Sequence, residues 1–174
     1  RLHLEKMREG ALDLSLFLER ADRFSQRVAG TAVFLHPRTD VAPNAMLHSI
    51  KHYKVLHERV VIAAVTVADT PYVRADKRLT LEKLGKGFFA LRIAYGFFET
   101  PDIPAALAQA RTLGLMLEED ATSYFLGRET LVAGHDPRLP HWRVGLYMWL
   151  ASHALSPARF YRLPPNRVVE LGTQ

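Results

Sequence analysis

Blocks of apolar and polar positions follow one another along this chain, and the period of each block predicts an element. From Leu2 to Phe24 leucines recur among charges, which predicts two short amphipathic helices broken near Gly10, with Leu12, Leu16 and Phe17 on one side of the second. "GTAVFLH" (Gly30 to His36) reads as a strand ended by the turn cluster "PRTD". Pro43 and Asn44 mark a helix start, with Asn44 the expected cap, and the helix runs to about Val55. At helical spacing Met46, Ile50 and Tyr53 share the core side of that helix, and His48 and His52 fall on the opposite side.

"RVVIAAVTVA" (Arg59 to Ala68) is a continuous apolar run of strand length, the pattern of a strand covered on both faces. Strand, helix and strand thus make a parallel βαβ unit. "LTLEKLGKGFFALRIAYGFFE" (Leu79 to Glu99) predicts a hairpin turning at Gly85, Lys86 and Gly87. Phe89, Leu91, Ile93, Tyr95 and Phe97 share one face of its second strand, where an uncovered apolar surface over Phe88 to Phe98 would suit dimerisation. Thr100 as cap, Pro101 and Asp102 announce a helix that Gly114 can end. "TSYFLGRETLV" (Thr122 to Val132) is strand-like, "HWRVGLYMWLASHA" (His141 to Ala154) reads as a helix, and "LPPNRVVEL" (Leu163 to Leu171) as a last extended element.

The alternation implies an α/β fold: a single domain, residues 29–174, with a mixed sheet of about five or six strands and flanking helices, preceded by a short helical connector at residues 1–28. At 174 residues there is room for one continuous core. The chain begins at Arg1, and the expectation is a piece of a longer protein.

Composition narrows the chemistry. Without cysteine there is no disulfide, thiolate metal site or cysteine nucleophile. The net charge of +5 suits an anionic membrane face, an acidic partner or a nucleotide, but its Lys and Arg are scattered among acids, which argues against nucleic acid. The longest apolar run is far shorter than a membrane-crossing helix requires.

Candidate site residues are few. His48 and His52 stand four apart, as helical zinc ligands do, yet "HSIKH" lacks the internal Glu of the metalloprotease motif, and Lys51 and Lys54 border the pair. Metal is therefore disfavoured against a structural role at the helix C-terminus. In "YFLGRETL", Arg128 beside Glu129 offers either a clamp for a phosphate or carboxylate, or an ion pair that fixes the loop. In "LPPNRVVEL", Asn166 and Arg167 present polar groups just before an apolar strand, for an anion or a structural clamp. "LGKGFF" has too few glycines for a phosphate loop, and no G-x-S-x-G elbow or paired acid and base can be assigned, so no enzyme and no cofactor are expected.

At "GTAVFL", "KVLHERVV", "YGFFETPDIPAAL", "TSYFLGRETL" and "LPPNRVVELGTQ", in that order, the chain resembles the cytoplasmic C-terminal domain of the KUP family of potassium-uptake permeases. It departs from the family pattern at Ala29, where proline is frequent, and at Tyr53, where asparagine is common. The resemblance implies a regulatory and assembly domain on the cytoplasmic face of the bacterial inner membrane, attached to a membrane core that carries potassium inward with protons. Its implied partners are that membrane domain and a second copy of itself. Some relatives of these permeases respond to a cyclic dinucleotide, so the alternative reading is a nucleotide-binding sensor in which Arg128, Arg167 or Lys51 neutralises phosphate.

Overall fold

The computed structural model describes residues 13–24, 26–127 and 156–172. After helix α1 (Leu14–Phe24) come strand β1 (Gln26–Leu35), helix α2 (Asn44–Tyr53), strand β2 (Val55–Val67) and one helical turn α3 (Ala75–Arg78). The hairpin β3 (Leu79–Gly85) and β4 (Phe88–Tyr95) leads to α4 (Ile103–Ala110), and β5 (Thr122–Gly127), α5 (Pro157–Phe160) and β6 (Val168–Leu171) follow. The six strands form one mixed sheet in the order β3-β4-β2-β1-β5-β6, in which β3 alone pairs antiparallel.

The unbroken apolar run of β2 has a direct cause, because helices cover both faces of the sheet. On one face Val61, Ala63, Leu91, Ile93 and Leu126 pack beneath Ile103 and Leu107 of α4 and Phe160 of α5. On the other, Phe34, Val60, Ile62, Phe88 and Phe125 pack beneath Leu14 and Phe17 of α1 and Met46 of α2. A strand with neighbours above and below cannot alternate with polar residues, since each would bury an unpaired polar group. The edge strand β3 keeps Thr80, Glu82 and Lys83 exposed, which discourages pairing with another chain.

The expected βαβ unit is present, with β1 and β2 parallel around α2. The hairpin turns where expected, with Gly85, Lys86 and Gly87 all at positive φ. Other details differ. β1 begins at Gln26, and the α1 residues Leu14, Phe17 and Ala21 are buried in the core beneath which it packs. Leu16, expected inward, is 42% exposed because the sheet is met by Leu14 and Phe17 instead. Tyr53 is 65% exposed: α2 ends there and Lys54 turns the chain in a left-handed conformation, so the last turn projects past the sheet.

The cap of α2 is Pro43, without a side-chain bond, where Asn44 was expected. The cap of α4 is Asp102, whose carboxylate accepts the Ala105 N–H at 2.9 Å, so the helix starts two residues beyond the expected Thr100 cap. Asp102→Ala should lower stability by about 1 kcal/mol in a urea melt and Asp102→Asn by much less, because Asn caps equally well; equal losses would mean that the charge, not the cap, matters. The apolar face expected to lie uncovered on Phe88 to Phe98 is covered from Phe88 to Tyr95, and only Phe98, beyond the strand, is largely exposed. The helix expected at residues 141–154 lies outside the described residues.

Candidate functional site

The strand order locates a site that no single motif marks. From β1 the chain builds outward through β2 to the β3–β4 hairpin, then returns across the sheet to add β5 and β6 on the far side of β1. In open α/β sheets such a reversal leaves a crevice at the carboxyl ends of the two strands that flank it. Here those ends are Leu35 and Gly127, and the first turn of α2 borders them: a Cβ placed on Gly127 would lie 3.9 Å from that of Ala45.

The loop leaving β1 is tightly built. The His36 N–H donates to the Ala63 carbonyl at 3.0 Å, adding one more rung to the sheet. The His36 ring is nearly buried and its Nδ1 lies 2.7 Å from the Arg38 carbonyl and 3.1 Å from the Arg38 amide nitrogen, so either tautomer closes the turn. Arg38 grips Asp40 through Nε at 2.9 Å and Nη2 at 2.5 Å. That side-chain bond raises the guanidinium pKa above its usual value, and it holds the Asp40 carboxyl low against the upward push of burial. Both side chains are more than half exposed, and such pairs are worth about 0–1 kcal/mol. Arg38 can therefore exchange Asp40 for an incoming anion at little cost, in the loop that leads from β1 to the positive end of α2.

The same loop is fastened to α1. The Leu14 N–H donates to the Asp40 carbonyl at 3.1 Å, Asp13 and Val41 form a β-bridge, and the Asp13 carboxylate caps the helix through the Ser15 N–H at 2.8 Å. The loop leaving β1 is thus joined to α1 by backbone bonds.

The residues singled out from sequence are not gathered into one place. Arg128 and Glu129 follow Gly127 directly in the chain but lie outside the described residues. Asn166 and Arg167 occupy a single 3-10 turn at the amino end of β6, the opposite end of that strand from the crevice. Lys51 is exposed in the last turn of α2, also at the amino end of the sheet. The rings of His48 and His52 stack at 5.7 Å, and among the described residues no group of three His, Cys, Asp or Glu side chains converges as metal ligands would. Sequence reasoning missed His36, Arg38 and Asp40, since "HPRTD" is an ordinary turn cluster until the strand order is known.

A second cluster stands at the carboxyl ends of β2 and β4. Glu99 accepts the N–H groups of Gly96 at 2.7 Å and Val73 at 2.9 Å and pairs with Arg78 at 2.5 Å, while Arg78 lies over the Tyr95 ring. It binds two loops together and holds Tyr72 and Phe98 outward, 68% and 71% exposed.

Comparison with known proteins gives this architecture relatives. A family model described as the C-terminal domain of K+ potassium transporters matches residues 29–174. The chain is 43% identical over 99% of its length to the probable potassium transport system protein Kup 2 of Rhizorhabdus wittichii, covering 27% of that protein. It is 42% identical over 99% of its length to the probable Kup protein of Zymomonas mobilis, covering 26%, and 48% identical over 85% to a probable Kup 1 of Rhodopseudomonas palustris, covering 24%. The chain spans about a quarter of the length of these curated relatives. No solved structure matches it.

Proposed function

The chain belongs to the family of potassium transporter C-terminal domains, and from that membership we propose that it is the regulatory and assembly domain of a potassium permease. On this reading it sits on the cytoplasmic face of the bacterial inner membrane and works against the membrane domain of the same polypeptide, which takes up potassium together with protons. Among the described residues no helix is long and apolar enough to cross a membrane. The observation that carries the reading is the backbone attachment of α1 to the crevice loop, through Leu14 to Asp40 and Asp13 to Val41. A ligand or partner that prefers one arrangement of that loop would shift the position of α1, and coupling requires nothing more than this difference in affinity.

The test is potassium uptake by the whole permease with and without this domain. Transport is expected to survive deletion while its response to pH or nucleotide changes; an unaltered response, or loss of transport from protein still present in the membrane, would sink the regulatory reading. A strict monomer in sedimentation at high concentration would count against assembly with a second copy. The nucleotide-sensor reading is favoured by the switch-point crevice, where Arg38 and the positive end of α2 offer phosphate partners. Titration calorimetry with ATP, AMP and cyclic di-AMP checks it, and three flat titrations would remove it.

A further inference from the structure

We propose that the amino end of the sheet, opposite the crevice, is a docking surface for an anionic lipid bilayer, an inference that goes beyond the regulatory reading. Three elements deliver cations to this end. α1 ends there with Arg20 and Arg23, α2 ends there with Lys51 and its C-cap Lys54, and β2 begins there and carries Arg59. Backbone bonds hold these ends together: the Gln26 N–H, just after α1, donates to the Lys54 carbonyl at 3.0 Å, and Gln26 pairs with Val55 at the start of β2. The β3–β4 turn is tied to the same end through Arg27, which donates to the carbonyls of His57 and Lys86 at 3.0 Å each.

All five cations are exposed, and among the described residues none forms an ion pair. Among the described side chains the acids in this zone are Glu19 and Glu58, Asp22 lies between Arg20 and Arg23 in the sequence, and Glu118, Glu119 and Asp120 lead into Thr122 of β5, which is in register with Thr31 and, across it, Arg59. Complementing helix C-termini accounts for Arg23, Lys51 and Lys54 but not for Arg20 or Arg59. Among the cations stands Tyr53, 65% exposed on the last residue of α2. An exposed tyrosine between Lys51 and Lys54 at a helix end matches a membrane interface, where the ring sits at headgroup level and the cations meet anionic lipid.

The experiment is cosedimentation of the 174-residue chain with vesicles of phosphatidylcholine alone or with about one third phosphatidylglycerol. Binding is expected to the anionic vesicles only and to fall steeply on raising the salt. Each cation near an anionic leaflet strengthens binding roughly fivefold, so the combination Lys51→Gln, Lys54→Asn and Arg59→Gln should weaken it on the order of 100-fold. Asn is chosen at position 54 because it tolerates the left-handed backbone there, and an unchanged thermal melt establishes that the variant is folded. Tyr53→Ala should weaken binding severalfold at unchanged salt dependence. Equal binding to both vesicles, or an unaffected triple variant, overturns the proposal. Retention on polyglutamate without vesicle binding also overturns it and makes an acidic polypeptide the occupant. None of these readouts involves transport, so failure here leaves the regulatory reading standing.

Discussion

Gly87→Ala is expected to cost more than about 4 kcal/mol, a large share of the 5–15 kcal/mol by which a domain of this kind is stable. Gly87 has a φ of +81°, where an L side chain is already strained, and a Cβ there would meet the Glu58 carbonyl oxygen at 2.1 Å. That oxygen belongs to the backbone of the central strand β2. It cannot retreat without breaking the bond from the Val60 N–H to the Gly87 carbonyl, 2.8 Å long, which starts the β2–β4 ladder. Gly85, two residues earlier, has a similar φ of +86° but open space around it. Gly85→Ala should therefore cost only about 1–2 kcal/mol, the conformational part alone. Urea denaturation of the two variants separates close approach from backbone strain, and equal losses would refute this account of Gly87.

The second large effect is expected at Glu99. Its side chain and that of Arg78 are each only 17% exposed. Removing one partner of such a pair leaves the other stranded, a change that costs 3–5 kcal/mol in full burial and about 2–4 kcal/mol here. The two partners are not equivalent. Arg78→Met leaves Glu99 holding the Gly96 and Val73 N–H groups, whereas Glu99→Leu strands both amides and the guanidinium, so Glu99→Leu should be the more damaging by at least about 1 kcal/mol.

The dependence on pH follows from the same contacts. Burial pushes the Glu99 carboxyl upward, but the bonds from Arg78, Gly96 and Val73 outweigh it and hold the group below its usual value. A depressed carboxylate stabilises the fold above its unfolded pKa and loses that contribution as pH falls through the folded one. The stability gap between the wild-type chain and Glu99→Gln should accordingly be full near neutrality and shrink below about pH 4.3. A gap that stays constant down to pH 3 would show that the ionised form contributes nothing.

Much of the fold is legible in the order of residues because local physics decides it. The run from Arg59 to Ala68 had to be a strand covered on both faces, and Gly85-Lys86-Gly87 had to turn a hairpin. Gly114 ends the helical stretch after Pro101, although the last turn before it is 3-10. What escaped was decided by distant partners. Tyr53 has the spacing of a core residue, and only the position of the sheet edge shows that α2 overruns it. Thr100 and Asp102 are both competent caps, and Asp102 wins while its own N–H and C=O bind the Tyr95 hydroxyl at 3.0 and 2.7 Å. Arg78 and Glu99 stand 21 residues apart, with nothing in either neighbourhood to announce the other. The crevice itself is a property of strand order, which no window of sequence contains.

That order bears on how the molecule comes apart. β1 pairs with β2, the next strand in the chain, and β2 with β4, one strand further on, whereas β5 meets β1 through partners such as Thr31 and Thr122 with α2, β2, the hairpin and α4 between them. Among the described strands β6 pairs with β5 alone. The sheet is thus a locally wired half with a late-joining flank, and partial opening at the lowest free energy should release β5 and β6 as a unit. Releasing them takes away one wall of the crevice while α1 and its loop stay in place on the other half. The site and the seam along which the domain most easily parts are the same line between β1 and β5.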